Sequence, residues 1–373
     1  MFDYFATTAL GLEDILAGEL EALRIRDIRA QKAGVRFRGP FEDCMRVNLH
    51  LRTANRVVMM LEEFPCSGPE DLYEGVRCTD WRPFFQGEAT LAVSASVRDS
   101  AITHSVYAAL TVKDAICDSL RDATGRRPNV DRYSPDIQVT ARLIGERAVI
   151  GVDTSGKSLH LRGYRASSAE APLKETLAAG LVLTTGWTGY DAFYDPMCGS
   201  GTIPIEAALI ARRIPPNLNR ERFGFMRLPW FERGMWEKVR EEARSGLLDG
   251  DCTIEASDID DSALDIARRN AASAGVGDRI RFVCRDIRSL PKAKRLSTAV
   301  ANPPYGARLG EVKALRSLYR TMGEVFQKRF GGSTAWVLTG NSGLAKCIPL
   351  KPSEKRTLYN GAIRCRFLRF DIE

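Results

Sequence analysis

The chain has 373 residues and a net charge of +7, and its 44% hydrophobic and 27% charged residues are typical of a globular protein with two or three domains. Its apolar runs, such as Leu177–Leu183, are shorter than the ~20 residues of a membrane-spanning helix, and its N-terminus lacks the layout of a signal peptide. We therefore expect a cytoplasmic protein, with a monomer as the default assembly.

Cysteine, histidine and arginine usage indicates what the chain binds. Nine cysteines without a CxxC pair, and three distant histidines (His50, His104 and His160), supply no ligand set spaced for zinc. We expect reduced thiols and no metal. Arginine accounts for 42 of the 54 basic residues. Its planar fork suits phosphates and base stacking, which favours a nucleic-acid partner, although a GC-rich genome explains the bias equally well.

The first part of the chain predicts two small α+β units, residues 1–60 and 61–165. In the first unit, MFDYFATT is typical of a strand, and Leu12–Leu23 carries apolar residues at helical spacing. The second unit has a helix and turn at Asp71–Phe85, a strand TLAVSASV, and a helix at His104–Ala123. It closes with a hairpin of IQVTARLI and AVIGVDTS.

From Pro172 onwards, strands alternate with helices, which is typical of an α/β domain with a parallel sheet covered on both faces. The predicted buried strands are AFYD, TIEAS, IRFVC, STAVA and TAWVLT. The last segment, AIRCRFLRFDI, alternates and is predicted to end the sheet as an antiparallel edge strand. The boundary between the two halves is expected within Gly156–Ala171.

The string FYDPMCGSGTIPIEAAL, residues 193–209, places a glycine turn between a strand and a helix. Such a turn brings backbone N–H groups close to a ligand. The string resembles motif I of class I methyltransferases, whose loop binds the methionine end of S-adenosylmethionine. This resemblance assigns cofactor binding to Asp195, Gly199 and Gly201, together with the adjoining Pro196 and Ser200.

A second acidic residue, Asp258, ends the next predicted strand, where nucleotide-binding folds hold the ribose hydroxyls. We include its neighbour Ile259 in the predicted cofactor site. Asp258 follows Gly201 by 57 residues, so residues 212–250 form an insertion. The aromatic and arginine residues of this insertion either stack on bases or pack as a local cap. At the end of the third strand, class I methyltransferases commonly bind the adenine amine, which makes Asp286 the candidate, although an acid there is also an ordinary helix cap.

Asn302, Pro303, Pro304 and Tyr305 follow the buried strand STAVA and match the N-P-P-Y motif of methyltransferases that act on nitrogen. An exocyclic amine is a poor nucleophile because its lone pair is delocalised into the ring. The Asn302 side-chain oxygen and the Pro303 carbonyl can each accept one amine hydrogen and direct the lone pair at the methyl group, while Tyr305 stacks on the base. The target base is expected to be flipped out.

Together, DPMCGSGT, SDID, NPPYG, APLKETLAAGL, RPNVDRYSPDIQV and SLHLRGYR resemble the THUMP-domain class I methyltransferases, in particular the 23S rRNA guanine-N2 methyltransferases. The resemblance covers nearly the whole chain. It implies a ferredoxin-like unit at 1–60, a THUMP domain at 61–165 and a Rossmann-like methyltransferase domain at 166–373. It also implies that the helix opened by Pro172, with Lys174, Glu175 and Thr176, lines the cofactor pocket.

The implied activity is methylation of guanine N2 in 23S rRNA, with S-adenosylmethionine as cofactor. Some relatives carry a second methyltransferase domain, whereas this sequence has one, which also suits an enzyme that methylates guanine N2 in the tRNA acceptor stem. An adenine-N6 methyltransferase, a protein-glutamine methyltransferase and an inactive RNA-binding module are further alternatives. THUMP domains bind RNA, and the candidate cations near the linker are Arg126, Arg127, Arg132, Arg142, Arg162 and Arg165.

Overall fold

The computed structural model describes residues 1–165, 173–249, 252–293, 296–305 and 309–373, and only the backbone of 309–312. Pro172 and residues 166–171 of the expected domain boundary therefore lie outside the described residues. Within the described part of the chain, no helix is long and apolar enough to cross a membrane. None of the nine cysteines forms a disulfide bond.

Seven strands of the N-terminal half form one sheet in the order β2-β3-β1-β4-β7-β6-β5. These strands are β1 (Phe2–Thr8), β2 (Arg26–Gln31), β3 (Gly34–Gly39), β4 (Ala54–Pro65), β5 (Leu91–Arg98), β6 (Ile137–Ile144) and β7 (Arg147–Asp153). The helices of this half are α1 (Glu13–Ala22), α2 (Phe41–His50), α3 (Pro69–Arg77) and α4 (Ser105–Thr124). The predicted strand, helix and hairpin elements of this half are all present.

The two N-terminal units share their sheet, which the sequence patterns did not predict. The 12-residue strand β4 crosses the expected boundary at residue 60 and pairs with β1 on one side and β7 on the other. Along β6, every second residue is buried beneath the helices, as expected for a sheet with one covered face. The two expected N-terminal units therefore form one continuous body.

The C-terminal half forms a second seven-stranded sheet in the order β10-β9-β8-β11-β12-β14-β13. The strands are β8 (Ala192–Asp195), β9 (Ile254–Asp258), β10 (Ile280–Cys284), β11 (Ser297–Ala301), β12 (Ser333–Thr339), β13 (Glu354–Asn360) and β14 (Ile363–Ile372). The helices are α5 (Glu175–Thr184), α6 (Thr202–Ala211), α7 (Arg233–Ser245), α8 (Asp261–Ser273), α9 (Leu309–Arg329) and α10 (Ser342–Ala345). This arrangement confirms the predicted α/β class.

One detail of the predicted sheet is wrong. The last segment, β14, is not the edge strand, because it lies between β12 and β13 and pairs antiparallel with both. The edge is β13, whose charged sequence EKRTLYN gave no clear strand pattern. The tight turn between β13 and β14 brings this hairpin to the end of β12.

The insertion at 212–249 packs on the N-terminal half. Phe225 is fully buried, stacks on Phe223 at a ring-centroid distance of 4.9 Å, and meets Trp236 edge-on at 5.2 Å. Trp230 contacts the ring of Phe2 at 5.0 Å. Of the two readings of these aromatic residues, the structure supports packing. The insertion is therefore a part of the C-terminal half that packs against the N-terminal half.

A buried polar cluster joins the two halves. The Arg162 side chain is 1% exposed and lies 3.6 Å from the carboxylate of Glu206, a fully buried residue of α6. The Tyr164 hydroxyl donates to the same carboxylate at 3.1 Å. Nearby, Arg52 donates to the carbonyl oxygens of Leu209 and Ile214. These contacts fix how the N-terminal half sits on the C-terminal half.

Candidate active site

The glycine turn after β8 has the backbone that the sequence predicted. Gly199 and Gly201 have φ angles of 50° and 81°, in the left-handed region that favours glycine. A Cβ on Gly201 would lie 2.9 Å from the Cβ of Ala267, so the turn packs tightly against α8. A Cβ on Gly199 would meet nothing within 4 Å. The turn thus has a packed side and an open side, and α6 begins directly after it.

The carboxyl of Asp195 is buried next to this turn. The residue is 1% exposed, its Oδ1 accepts the backbone N–H of Met197 at 3.2 Å, and its Oδ2 has no hydrogen-bond partner among the described residues. Burial raises the pKa of Asp195 well above its ordinary value, against the Met197 hydrogen bond, and the nearby charge of Asp258 adds to the rise. A cationic group of a ligand would satisfy the orphan oxygen, and contact of Asp195 with S-adenosylmethionine stays a prediction.

Asp258, at the end of β9, connects the second strand to the glycine turn. Its Oδ2 accepts the backbone N–H of Gly199 at 2.8 Å, and its Oδ1 accepts the N–H of Asp260 at 3.1 Å. The side chain therefore orders the turn as well as standing where a ribose is bound in such folds. The adjoining Ile259 is 70% exposed, which leaves an apolar surface beside the predicted nucleotide position.

Asp286 caps a short 3₁₀ turn at Ile287–Ser289. It accepts the backbone N–H of Arg288 at 2.8 Å and two guanidinium contacts from the same residue at 2.8 and 2.6 Å. These hydrogen bonds lower the pKa of Asp286 to about 2. Asp286 is therefore a helix cap, as the sequence allowed. Its binding of the cofactor's adenine amine stays a prediction, and that amine would compete with Arg288 for the carboxylate.

The N-P-P-Y segment follows β11 at the same edge of the sheet. The Oδ1 atom of Asn302 is buried and has no hydrogen-bond partner among the described residues. Pro303 is buried and Pro304 is exposed. A buried amide oxygen without a partner is costly, so its retention points to a ligand donor. The predicted amine acceptor is therefore available in the structure.

A cavity of about 370 Å³ opens in front of this segment. The sequence predicted Asn302–Tyr305 as part of its wall but missed Gly340, Asn341 and Ile363, which also line it. A Cβ on Gly340 would lie 2.9 Å from Ile363 and 3.1 Å from the Tyr305 ring, so the glycine permits this close packing. Ile363 was missed because its position depends on the unpredicted pairing of β13 with β14, and Gly340 and Asn341, which follow the predicted strand β12, were missed because they form no recognisable motif.

The Tyr305 ring is held by the C-terminal hairpin. Asn360 Nδ2 donates to the Tyr305 hydroxyl at 3.1 Å, and burial raises the pKa of that hydroxyl. The ring thus has a fixed place in the cavity wall, as a stacking platform for a base requires.

The remaining predicted cofactor residues lie at the domain junction. Lys174 is exposed. Glu175 pairs with Arg165 at 2.9 Å, and Thr176 donates to the side chain of Asn55 at 3.0 Å. Arg165 also donates to the hydroxyl of Thr202, the first residue of α6. Glu175 and Thr176 are therefore engaged by protein groups, and direct contact with the cofactor stays a prediction.

Two of the predicted RNA-binding arginines have other roles. Arg162 is buried against Glu206, and Arg165 is largely buried against Glu175. Neither guanidinium is available to a phosphate. The two arginines were predicted because they lie near the linker, and in the structure the linker forms part of the contact between the two halves. Arg126, Arg127 and Arg132 are exposed, and Arg142 is half-buried over the ring of Phe5 at 4.7 Å.

Replacing Asp195 with Asn is expected to stabilise the cofactor-free protein and weaken cofactor binding. Because the folded-state pKa of Asp195 is raised, its contribution to stability is present below the ordinary carboxyl pKa and is lost as pH rises towards the folded pKa. Asp195→Asn removes this loss. Thermal unfolding between about pH 4 and pH 8 should show a higher Tm for the variant at neutral pH, and a smaller Tm rise on adding S-adenosylmethionine. Superimposable curves for the two proteins would contradict this role.

Three family models together match most of the chain. The RMKL-like methyltransferase domain matches residues 162–369, which is more than half of the chain. The RlmL ferredoxin-like domain matches residues 3–58, and the THUMP domain matches residues 67–153. These matches confirm the resemblance that the motifs indicated.

Curated relatives named ribosomal RNA large subunit methyltransferase K/L align with nearly the whole chain. The protein from Methylococcus capsulatus is 45% identical over 99% of this chain and 51% of its own length. That from Syntrophotalea carbinolica is 42% identical over 99% of this chain and 53% of its own length. The chain thus spans about half the length of the curated relatives it matches.

Solved structures share the complete fold. SMU.472, crystallised in complex with SAH, has a TM-score of 0.91 and 32% identity, with coverage of 100% of this chain and 98% of that one. A Listeria monocytogenes protein described as a predicted N6-adenine-specific DNA methylase has a TM-score of 0.91 and 34% identity, with coverage of 100% and 96%.

SAH is the demethylated form of S-adenosylmethionine, and the orphan oxygen of Asp195 and the open turn at Gly199 fit that cofactor. The chain therefore belongs to the RMKL-like methyltransferase family, with a ferredoxin-like and a THUMP segment ahead of an S-adenosylmethionine-dependent catalytic domain.

Proposed function

We propose that this chain transfers a methyl group from S-adenosylmethionine to the exocyclic N2 of a guanine in 23S rRNA, in the cytoplasm. The single observation that carries the proposal is the buried, unpartnered Oδ1 of Asn302 in a cavity at the strand ends. The names of the relatives, which are large-subunit rRNA methyltransferases, support RNA as the substrate. We also propose the division into segments 1–60, 61–165 and 166–373.

The chain's own residues position and orient the amine. Asn302 Oδ1 and the Pro303 carbonyl each accept one N–H of the flipped guanine, and the ring of Tyr305 supports the base plane. The bound cofactor supplies the electrophilic methyl group. The methylated nitrogen is acidic and releases its proton to water, so no strong base is needed. This agrees with the scarcity of histidine in the chain.

RNA binding is proposed for the loop between α4 and β6, residues 125–136. Its Arg126, Arg127 and Arg132 are exposed, and the Tyr133 side chain is 98% exposed. A fully exposed aromatic ring beside arginines suits stacking on an unpaired base with phosphates held by the guanidinium groups. Arg142 is a further candidate. It lies in β6, the strand that follows this loop, and it has no carboxylate partner among the described residues.

The salt dependence of RNA affinity distinguishes arginine–phosphate contacts from stacking on Tyr133. Replacing Arg126 and Arg132 with Ala should reduce the slope of log affinity against log salt by about one per arginine, because fewer counterions are released. Tyr133→Ala should weaken RNA binding at every salt concentration without changing the slope. Arg244→Ala, on the exposed side of α7, is the control. Unchanged slopes in the double variant, measured by fluorescence anisotropy, would remove the loop from the RNA interface.

The choice of RNA is tested by methyl transfer from labelled S-adenosylmethionine to separate pools of large-subunit rRNA and tRNA. We expect label in the rRNA pool. Label in tRNA alone would establish the acceptor-stem alternative, and label in neither would favour an inactive RNA-binding module. The N-P-P-Y motif and the description of the Listeria relative also make DNA adenine a substrate to include.

A further inference from the structure

Asn341 lines the proposed base cavity, and among the described residues only the donor end of its amide has no hydrogen-bond partner. Asn341 follows β12 and caps the short helix α10, and its Oδ1 accepts the backbone N–H groups of Gly343 and Leu344 at 2.9 and 3.1 Å. Since backbone N–H groups can only donate, these two bonds fix which end of the amide is oxygen. The Nδ2 group is therefore the end presented to a ligand.

Asn341 and Asn302 line the same cavity from neighbouring strands. β11 and β12 pair in parallel, with Ala301 opposite Val337, so both asparagines follow strand ends at one edge of the sheet. Asn302 directly follows Ala301, whereas Asn341 lies four residues after Val337, so it is the shared cavity that brings the two side chains together. One asparagine offers an acceptor and the other a donor.

We propose that Asn341 is a specificity residue that donates a hydrogen bond from Nδ2 to guanine O6, while Asn302 accepts from guanine N2. This inference rests on the proposed guanine-N2 activity. In a base with an amine in place of O6, that amine and the Nδ2 group of Asn341 are both hydrogen-bond donors, so no hydrogen bond forms between them. Selection of guanine then follows because the wrong base leaves the Asn341 donor unpaired.

Asn341→Asp is a matched test because it keeps the capping oxygen and nearly the same shape while replacing the donor with an acceptor. The substrates are two otherwise identical RNAs carrying guanosine or 2,6-diaminopurine riboside at the target position. Both have the 2-amino nucleophile, but the second presents an amine at position 6. For guanosine RNA, we expect kcat/KM of the variant to fall at least about 100-fold, with the affinity for S-adenosylmethionine unchanged.

The preference between the two RNAs is the decisive readout. Wild type should prefer guanosine, and Asn341→Asp should prefer 2,6-diaminopurine. Asn341→Ser, which keeps a capping oxygen but presents no carboxylate, should slow transfer to guanosine without inverting the preference. The same preference ratio in wild type and Asn341→Asp would overturn the inference. Absence of transfer to any RNA by the wild type would instead mean that the proposed function has failed.

Discussion

Replacing Asn302 with Ala is expected to reduce methyl transfer by about 100- to 1000-fold, the range found when one positioned polar group of an active site is removed. The Oδ1 atom that would be lost is buried and makes no hydrogen bond within the described protein. The substitution therefore removes a ligand contact and disrupts few internal ones. Single-turnover transfer of a labelled methyl group measures the rate, and the binding of S-adenosylmethionine should stay within about twofold.

Asp258→Ala is the complementary variant. The Asp258 carboxylate accepts from Gly199 and Asp260, so its removal loosens the glycine turn as well as the ribose position. We expect cofactor affinity to fall about 10- to 100-fold, with part of the transfer rate restored at saturating cofactor. If Asn302→Ala kept normal turnover, or if the two variants failed in the same way, the division of roles between amine binding and cofactor binding would be wrong.

The second large effect is expected at the domain junction. Glu206→Ala leaves the Arg162 guanidinium buried without its carboxylate, in a cluster that also contains the half-buried Arg52. Breaking a buried pair by removing one partner costs about 3–5 kcal/mol. Burial lowers the pKa of Arg52 and Glu206 opposes that shift, so two cations lose the same counter-charge. Denaturant unfolding followed by circular dichroism measures the loss.

Two controls isolate the buried charge. Glu206→Gln keeps the size of the side chain and an acceptor for the Tyr164 hydroxyl, and should destabilise less than Glu206→Ala. Asp265→Ala removes an exposed pair with Arg268 on α8 and should leave the unfolding midpoint almost unchanged. An equally small shift for Glu206→Ala would mean that the cluster does not hold the halves together.

The elements that carry the candidate site were predicted well because their patterns are local. A buried strand, a glycine turn and an apolar helix at 193–209 identify the predicted cofactor loop, and the strand before Asn302 places the second motif at the same sheet edge. The parallel order of β8, β9 and β11 then brings Asp195, Asp258 and Asn302 to one side. These positions follow from topology alone.

Other features depend on contacts distant in sequence. The Arg162 side chain was predicted to face RNA, but its partner Glu206 is 44 residues away and buried on α6. The aromatic residues of the insertion could have stacked on bases, and their packing on Phe2 and Phe41 becomes visible only in three dimensions. Ile363 belongs to the cavity because β14 pairs with both β12 and β13. Local periodicity carries no information about such pairings.

Nucleoside analysis of rRNA methylated in vitro tests the central claim most directly. Purified 23S rRNA is incubated with the protein and labelled S-adenosylmethionine, digested to nucleosides and separated by chromatography with mass detection. We predict that the label appears as N2-methylguanosine with the wild-type protein and is absent with Asn302→Ala. Label in N6-methyladenosine, or N2-methylguanosine formed equally by both proteins, would contradict the account.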